Sequence, residues 1–439
     1  MEQATQRAAQ RAFCIAALPA GDDLEELGEL LRTAGVAVVG KMVQRREQPH
    51  PNTYLGPGKV AEAKAAAKQA DANLIACDDE LTPRQERNLE EALGMPVVDR
   101  TTVILDIFAA HASSAEGKLQ VELAQLEYNL ARMRGLWTHL ERLGGGIGTR
   151  GPGESQIETD RRLARDRIAA LRRRLEHVKG TRKVMRAERE RAALPTVALV
   201  GYTNAGKSTL LNVLTGAEVG VRDRLFHTLD PTTRTVRPIA SIGNSHGTSQ
   251  TGRKYLVSDT VGFISKLPHQ LVDAFGATLE ETRRADLLAH VLDASAPDRQ
   301  AGQQAETMQH AVEQTLEEIG AGERPRVLVL NKIDLLDEQE RDELRLRHPE
   351  AMLVSGVTGE GLEDLGSRFE AELEHMLCKV ELLVPYADGG SLAELHELAG
   401  DLSRDDTPEG VRVRALIPKR AAERFAKFAV ASSLLGASS

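Results

Sequence analysis

The most constraining feature of this sequence is an octapeptide, Gly201-Tyr202-Thr203-Asn204-Ala205-Gly206-Lys207-Ser208. The apolar run Val197–Val200 before it predicts a buried strand, and Thr209–Leu214 after it predicts a helix. Glycines at both ends of the loop let backbone N–H groups close around phosphate oxygens at the N-terminus of that helix. The pattern therefore predicts a phosphate-binding P-loop in an α/β domain.

Two side chains of this loop carry its charge chemistry. Lys207 is expected to neutralise the β- and γ-phosphates, and the Ser208 hydroxyl is expected to ligate Mg²⁺. A second segment, Asp259-Thr260-Val261-Gly262, follows the predicted strand Tyr255–Ser258. Asp259 is placed to hold Mg²⁺ through water, and the Gly262 N–H to sense the γ-phosphate. We assign all eight loop residues and these four to the nucleotide site, with Lys207 and Gly262 as catalytic.

Two further motifs indicate which base is bound. Asn331-Lys332-Ile333-Asp334 follows the predicted strand Val327–Leu330, and Ser355-Gly356-Val357 follows Met352–Val354. The Asp334 carboxylate can accept hydrogen bonds from N1–H and the 2-amino group of guanine, a donor pair that adenine lacks. Lys332 can lay its aliphatic stem on the base, and the last loop can offer a backbone N–H to guanine O6. The four motifs in this order predict binding of GTP and GDP.

A polar loop between the first two motifs is predicted to respond to the γ-phosphate and Mg²⁺. We assign five of its residues to the nucleotide site: Phe226, His227, Thr228, Leu229 and Asp230. Thr228 is our candidate metal ligand and catalytic group, with Thr232 and Thr233 as competitors.

Phe263 stands where many GTPases have a glutamine that orients the attacking water. A phenyl ring cannot do this, so we expect slow unassisted hydrolysis, on the order of 10⁻⁴ to 10⁻³ s⁻¹. A partner's group, a bound cation or a rearranged loop must supply what is missing. Asn204 either helps to bind a potassium ion that bridges the phosphates or only hydrogen-bonds the loop.

Charge is distributed unevenly along the 439 residues. The formal net charge is −9, but residues 156–191 contain 13 Lys or Arg and 6 Asp or Glu, a local +7 that leaves −16 elsewhere. This asymmetry predicts a basic arm on an acidic body.

The apolar and charged fractions, 41% and 28%, are typical of a globular protein, and no apolar run is long enough for a membrane helix. Three cysteines without paired spacing favour a reducing cytoplasm over a disulfide or zinc framework.

The remaining patterns divide the chain into four predicted domains. Residues 11–110 alternate strand and helix patterns and predict a small, largely parallel α/β domain, in which Gly56–Lys59 is a turn before a helix. Residues 111–192 carry two helical leucine stripes, which predict an antiparallel hairpin with a glycine-rich tip at Gly144–Gly153. Residues 193–376 form the P-loop domain, and residues 377–439 a small α/β module that ends in a helix at Arg420–Val430. We assign RNA contacts to Arg150, Arg172, Arg173 and Arg174.

The chain resembles the HflX-type GTPases, which are translation-associated P-loop GTPases. The resemblance runs from about Tyr54 to the 420s, and its most specific segments are Asp79–Gln85, Glu116–Leu126, Gly144–Asp160, Phe226–Arg234 and Leu267–Leu271. Departures are His227, where alanine is common, and Gly356, which replaces the usual alanine of the guanine loop. The resemblance implies binding to the large ribosomal subunit, with the hairpin tip near the peptidyl-transferase region, and GTP-dependent separation of stalled ribosomes. It also implies potassium-stimulated hydrolysis through Asn204.

The sequence thus predicts a cytoplasmic, monomeric GTPase without a membrane span that uses Mg²⁺, and K⁺ if Asn204 binds it. Its predicted partners are GTP or GDP and the large ribosomal subunit with its RNA. Two alternatives stay open at this point. One is an RNA remodeller that uses ATP in the N-terminal domain, as the resemblance allows, and the other is a signalling GTPase whose hairpin binds a protein.

Overall fold

The computed structural model describes residues 10–18, 24–143, 152–191, 194–216, 226, 232–236, 254–264, 266, 276–295, 303–399 and 402–430. It separates into two compact units. The first comprises Met1–Val178, Arg222–Asp230 and Lys266–Gly276, and the second comprises Lys179–Val221, Pro231–Ser265 and Ala277–Ser439. Within the described residues, no helix has the length and apolar content needed to cross a membrane.

The first unit is built on a parallel sheet in the order β2-β1-β3-β4. Its strands are β1 (Arg11–Leu18), β2 (Ala37–Arg45), β3 (Leu74–Cys77) and β4 (Val97–Asp99). Its helices are α1 (Glu25–Ala34), α2 (Pro57–Gln69), α3 (Pro83–Leu93) and α4 (Arg100–His111). The uninterrupted apolar run of β3 is buried throughout, as expected for a parallel strand covered on both faces. The predicted parallel α/β fold is confirmed.

Local capping determines where these helices begin. The Thr82 side chain accepts a hydrogen bond from the Gln85 N–H, and the Gln85 side chain accepts one from the Thr82 N–H, so α3 starts with a reciprocal capping box. Asp99 caps α4 by accepting from the Thr102 N–H. Gly56 is the residue before α2 and Pro57 is its first residue, so the helix N-terminus predicted here is confirmed, but Pro57–Lys59 form the first turn of the helix rather than a turn before it.

Two long helices follow, α5 (Ala115–Leu143) and α6 (Pro152–Arg191). Leu119 packs with Leu171 and Leu175, flanked by the partly buried Leu123, Leu126 and Val178. These are the leucine stripes of the sequence, so the predicted helical pair is confirmed. Its helices are longer than the pattern indicated, and α6 begins at Pro152, a residue that we had assigned to the glycine-rich connection. Arg150 and the rest of residues 144–151 lie outside the described residues.

Asp99 joins α5 to the sheet of the first unit. Its buried carboxylate accepts hydrogen bonds from the Leu81 N–H at 3.0 Å, from the Tyr128 hydroxyl and from the Arg132 guanidinium at 2.8 Å. Arg132 also pairs with Glu86 at 2.8 Å and lies over the Tyr128 ring. One charged cluster therefore holds the helical pair against strand β4 and helix α3.

The second unit contains a six-stranded sheet in the order β10-β9-β8-β5-β7-β6. Its strands are β5 (Thr196–Gly201), β6 (Thr232–Val236), β7 (Tyr255–Asp259), β8 (Leu287–Asp293), β9 (Arg326–Asn331) and β10 (Met352–Leu353). Its helices are α7 (Lys207–Thr215), α8 (Gly276–Arg284), α9 (Gln303–Glu318), α10 (Glu338–Arg347) and α11 (Leu362–Glu374). Only β6 runs antiparallel to its neighbour, so the loops after β5, β7, β8, β9 and β10 meet at one edge.

The same unit ends in an antiparallel sheet, β11-β13-β12, formed by β11 (Leu377–Val384), β12 (Leu402–Thr407) and β13 (Gly410–Pro418). Helix α12 (Gly389–Leu398) packs on it. The helix predicted at Arg420–Val430 is confirmed only in part, because the short α13 (Lys419–Ala422) is followed by a 3₁₀ segment, Glu423–Phe428, instead of a continuous α-helix. Strand β12 was missed because its sequence, LSRDDT, is mostly polar; it is held at the sheet edge by pairing with β13.

We predict that Asp99→Ala lowers the free energy of unfolding by about 3–5 kcal/mol, because it leaves the Arg132 charge without its buried partner. Glu62→Ala is the matched control. It removes an exposed carboxylate that pairs with Lys59, and it should change stability by less than about 0.5 kcal/mol. Urea unfolding followed by circular dichroism measures both. Equal effects of the two substitutions would contradict the role given to Asp99.

Candidate functional site

The predicted P-loop turns sharply between β5 and α7. Asn204 and Gly206 have left-handed backbone conformations, with φ of 62° and 88°. The segment after β7 runs beside the loop, because the Thr203 N–H donates to the Phe263 carbonyl at 2.8 Å and the Phe263 N–H donates to the Gly201 carbonyl at 3.0 Å. The backbone thus joins the first and second sequence motifs.

Glycine is required where these loops approach most closely. A Cβ atom on Gly206 would lie 2.2 Å from the Asn331 side-chain nitrogen, and one on Gly262 would lie 2.7 Å from Thr203 Cγ2. The Gly262 position would also be 3.0 Å from Lys207 Nζ. Both contacts are too short for any side chain, so these two glycines allow the motifs to approach one another closely.

Lys207 lies buried at the first turn of α7. Its Nζ donates to the carbonyl oxygens of Gly201 at 3.1 Å and Tyr202 at 2.8 Å. Burial lowers the pKa of Lys207 to about 8, and the Asp259 carboxylate partly opposes this shift. The loop therefore holds a poorly solvated cation, and an anionic ligand beside it would stabilise the charged form.

Ser208 and Asp259 lie side by side. The Ser208 hydroxyl donates to Asp259 Oδ2 at 2.5 Å, and Asp259 is fully buried. Next to it, the Thr260 hydroxyl donates to the Leu199 carbonyl at 2.7 Å and fixes the chain after β7 against β5. A hydroxyl and a carboxylate are oxygen ligands of the kind that Mg²⁺ prefers, so these two residues fit a magnesium site.

The Asn331 side chain connects the P-loop with the loop after β10. Its amide nitrogen donates to the Ala205 carbonyl at 2.8 Å, and its amide oxygen accepts from the Gly356 N–H at 3.0 Å. Asn331 is buried. One amide group thus sets the spacing between the predicted phosphate-binding and base-binding loops.

Asp334 and Ser355, the two residues predicted to recognise guanine, are also in contact. The Ser355 hydroxyl donates to Asp334 Oδ1 at 2.6 Å and accepts from the N–H groups of Val357 and Thr358 at 3.2 and 3.0 Å. Ser355 is buried, whereas Asp334 is partly exposed and can meet a ligand. The structure therefore brings the third and fourth motifs together around one carboxylate.

Asp293 is a site residue that the sequence analysis missed. It ends β8, and its Oδ2 accepts from Lys332 Nζ at 2.6 Å while Oδ1 accepts from the N–H and hydroxyl of Ser295. A signal was available, because Asp293 follows an apolar strand in the way that Asp259 does. The pair restrains Lys332, whose stem was predicted to lie on the base.

Some predicted site residues are not brought to this edge by the described structure. His227, Thr228, Leu229 and Asp230 lie outside the described residues. Phe226 is buried in the first unit, where its ring packs edge-on against Phe108 of α4 at a centroid distance of 4.6 Å. Its assignment to the nucleotide site stays a prediction.

Lys266, like Phe226, belongs to the first unit, although it follows the second nucleotide-binding motif by only four residues in the sequence. Its Nζ donates to Asp78 at 2.8 Å and to Asp79 at 2.6 Å, and Asp79 also accepts from the Tyr54 hydroxyl. Burial opposes the charged form, but the two carboxylates outweigh it and raise the pKa of Lys266. No sequence motif indicated this cluster, which lies at the carboxyl end of β3.

The predicted RNA-binding arginines differ in their surroundings. Arg172 pairs with Glu127 of α5, with 2.7 Å between the closest nitrogen and oxygen, and Arg167 pairs with Glu122 in the same way. Arg173 and Arg174 are exposed on α6. Arg172 therefore contributes to the helical pair, and Arg173 and Arg174 are the better candidates for contact with another molecule.

The strand order and the loops at this edge of the six-stranded sheet define a P-loop GTPase. Three family models match successive parts of the chain. They are the GTP-binding GTPase N-terminal region at residues 21–109, the GTP-binding GTPase middle region at residues 111–189, and the 50S ribosome-binding GTPase at residues 196–332.

Relatives extend the similarity over most of the chain. A GTPase HflX of Lacrimispora saccharolytica is 45% identical over 408 residues, covering 92% of this chain and 91% of the relative. The GTPase HflX of Escherichia coli is 45% identical over 381 residues, covering 86% and 85%. A crystal structure of a GTP-binding protein from Sulfolobus solfataricus in complex with GDP aligns with a TM-score of 0.41 and 25% identity, covering 83% and 99% of the two chains. The chain belongs to the HflX family of GTPases, and it is an enzyme that hydrolyses GTP.

We predict that Gly206→Ala abolishes measurable GTPase activity and destabilises the protein by more than the ~1–2 kcal/mol cost of a left-handed alanine. The added methyl group would displace the Asn331 amide. Gly216→Ala is the matched control, because Gly216 also has a positive φ, 63°, but a Cβ there meets nothing within 4 Å. It should show the backbone cost alone and keep its activity. GTP turnover and urea unfolding of both variants distinguish the two effects, and an active Gly206→Ala enzyme would contradict this account.

Proposed function

We propose that this GTPase selects guanine through Asp334 and couples GTP binding to association with the large ribosomal subunit. The hydrogen bond from the Ser355 hydroxyl to Asp334 supports the proposed selection of guanine. That bond leaves the partly exposed carboxylate facing the base-binding loops, where it accepts from N1–H and the 2-amino group of guanine. Adenine offers no such pair of donors and would leave the carboxylate poorly hydrogen-bonded.

The phosphate groups are held by the N–H groups of the P-loop and by Lys207, whose buried ammonium group donates to the carbonyl oxygens of Gly201 and Tyr202. In this proposal Ser208, Asp259 and Thr228 hold Mg²⁺. The ion supplies charge stabilisation on the phosphate oxygens. We propose that the Gly262 N–H donates to the γ-phosphate; the approach of this segment to Lys207, where a Cβ atom on Gly262 would lie 3.0 Å from Nζ, supports this role.

Hydrolysis by the chain alone is proposed to be slow. Phe263 is buried, and it contributes its backbone to the P-loop contact while its ring provides no group to orient water. The missing polarisation must therefore come from outside the described site. Candidate sources are a potassium ion beside the exposed Asn204 and a group provided by the ribosome.

The helical pair is the proposed ribosome-binding element. The region 156–191 is strongly basic in an otherwise acidic chain, and Arg173 and Arg174 on α6 are exposed. The family model that matches residues 196–332 describes a 50S ribosome-binding GTPase. We propose that the GTP-bound, monomeric protein binds the large subunit and its RNA in the cytoplasm, that Arg150 of the glycine-rich tip contacts RNA, and that the protein splits or rescues stalled ribosomes.

Base selection is tested by Asp334→Asn. An amide nitrogen cannot accept from guanine, so GTP affinity should fall by at least about 100-fold, while affinity for xanthosine triphosphate should rise. Asp337→Asn is the control three residues away. Asp337 caps α10, and asparagine caps equally well. Competition binding with both triphosphates measures the change, and wild-type protein that turns over ATP as fast as GTP would refute guanine selection.

The potassium proposal predicts faster GTP hydrolysis in potassium than in sodium chloride at equal ionic strength, and loss of that difference in Asn204→Ala. The substitution removes the side-chain oxygen but keeps Lys207 and Ser208. Steady-state phosphate release in the two salts is the measurement. Equal wild-type rates in both salts would remove Asn204 from the mechanism.

Ribosome binding is tested by the double substitution Arg173→Glu and Arg174→Glu. It should weaken sedimentation with large subunits and lower the slope of log affinity against log salt by roughly one unit per lost phosphate contact, without changing GTP affinity. The control reverses Arg345 and Arg347 on α10, an equal change of charge in the second unit. Unchanged sedimentation of the α6 variant would contradict the proposal, and nuclease-resistant binding of a protein would favour a signalling role.

A further inference from the structure

Arg341 of α10 lies outside the predicted motifs, but it contacts the loop that contains one of them. Its Nε and one terminal nitrogen both donate to the Ile333 carbonyl, at 3.0 and 2.7 Å. Ile333 lies between Lys332 and Asp334 in the loop after β9. Only 16% of the Arg341 side chain is exposed, so this contact is well shielded from solvent.

The same guanidinium group also reaches the loop after β10. Its remaining terminal nitrogen pairs with Glu360 Oε1 at 3.0 Å. The Glu360 carbonyl in turn accepts from the Ser355 N–H at 2.9 Å, and the Ser355 hydroxyl donates to Asp334. These bonds form a closed circuit from Asp334 through Ser355, Glu360 and Arg341 to Ile333, the neighbour of Asp334.

The backbone beside this circuit needs such restraint. Lys332 has a left-handed conformation, with φ of 69°, which costs roughly 1–2 kcal/mol for a residue that is not glycine. Such a conformation persists only where the surroundings hold it. The two hydrogen bonds from Arg341 to the Ile333 carbonyl hold the peptide group between Ile333 and Asp334 in place. An exposed ion pair between two side chains would not restrain the backbone in this way, because it makes no bond to the main chain.

We propose that Arg341 is a positioning residue for guanine selectivity. It holds the Asp334 carboxylate at the place where the carboxylate accepts from the 2-amino group of the base. This inference rests on the proposed reading of guanine by Asp334. Arg341 does not touch the nucleotide in this role. A carboxylate accepting from two neighbouring donors must be held in one orientation, and a planar guanidinium with several donors in a rigid fork suits that task.

Inosine diphosphate tests this role because its base lacks the 2-amino group of guanine and is otherwise the same. The ratio of the dissociation constants for inosine and guanosine diphosphate therefore reports on the 2-amino contact alone. We expect Arg341→Ala to reduce this ratio by about tenfold, mainly by weakening binding of guanosine diphosphate. Arg341→Lys should give an intermediate ratio, because an ammonium group cannot bridge Ile333 and Glu360 as the guanidinium does.

Arg345→Ala is the matched control. Arg345 lies one turn further along α10 and pairs only with Glu338 and Asp342 among the described residues. It should keep the wild-type ratio. All variants are measured as full-length protein by competition against a fluorescent guanosine diphosphate, and circular dichroism checks their folding. If Arg341→Ala does not fold, the ratio of the dissociation constants for inosine and guanosine diphosphate in Arg341→Lys tests the role of Arg341 instead.

Equal weakening of both diphosphates by Arg341 substitution would overturn the inference, because it would show a general effect on the loops. An unchanged ratio in both Arg341 variants would overturn it as well. A wild-type protein with no preference for guanosine over inosine diphosphate would instead refute the reading of guanine by Asp334. The failure of the inference and the failure of the proposed function are therefore distinguishable.

Discussion

The candidate site depends on the Asn331 amide, which holds two loops that are distant in sequence. It donates to Ala205 in the P-loop and accepts from Gly356 in the loop after β10. The distance between a phosphate-binding and a base-binding loop has to match a nucleotide, and one short, buried side chain allows little variation in that distance. Gly206 has no side chain because the amide occupies the space that a Cβ atom would need.

The electrostatics of the two ends of the site differ. At the phosphate end, burial disfavours the charge of Lys207, and the Asp259 carboxylate compensates only in part. An anionic ligand completes that arrangement. At the base end, charges are paired within the protein, as Lys332 is with Asp293 and Arg341 with Glu360. Phosphate binding therefore uses a buried cation whose charge is only partly compensated, whereas base recognition uses loops that the protein's own ion pairs already hold in place.

In the first unit a cluster of ionic contacts has mainly a structural task. Asp99 begins α4, joins β4 to the helical pair and pairs with Arg132, so sheet and helices are held by one carboxylate. The cluster at Asp78 and Asp79 is different, because its third member, Lys266, comes from the sequence that follows Gly262. Lys266 stands four residues after Gly262 in the sequence.

The sequence by itself determined the elements whose information is local. The strand Leu74–Cys77 and the P-loop follow from apolar periodicity and glycine spacing, and so do the leucine stripes of the helical pair, because these patterns reflect contacts within one turn or along one face. Tertiary structure alone decided the polar strand β12, which exists through pairing with β13, and the change from α to 3₁₀ helix after Ala422. It also decided the roles of Asp293, Arg341 and Lys266. Lys332, Ile333 and Asp78, the partners that define these roles, lie 39, 8 and 188 positions away in sequence, and no local pattern records which hydrogen bonds the fold will bring together.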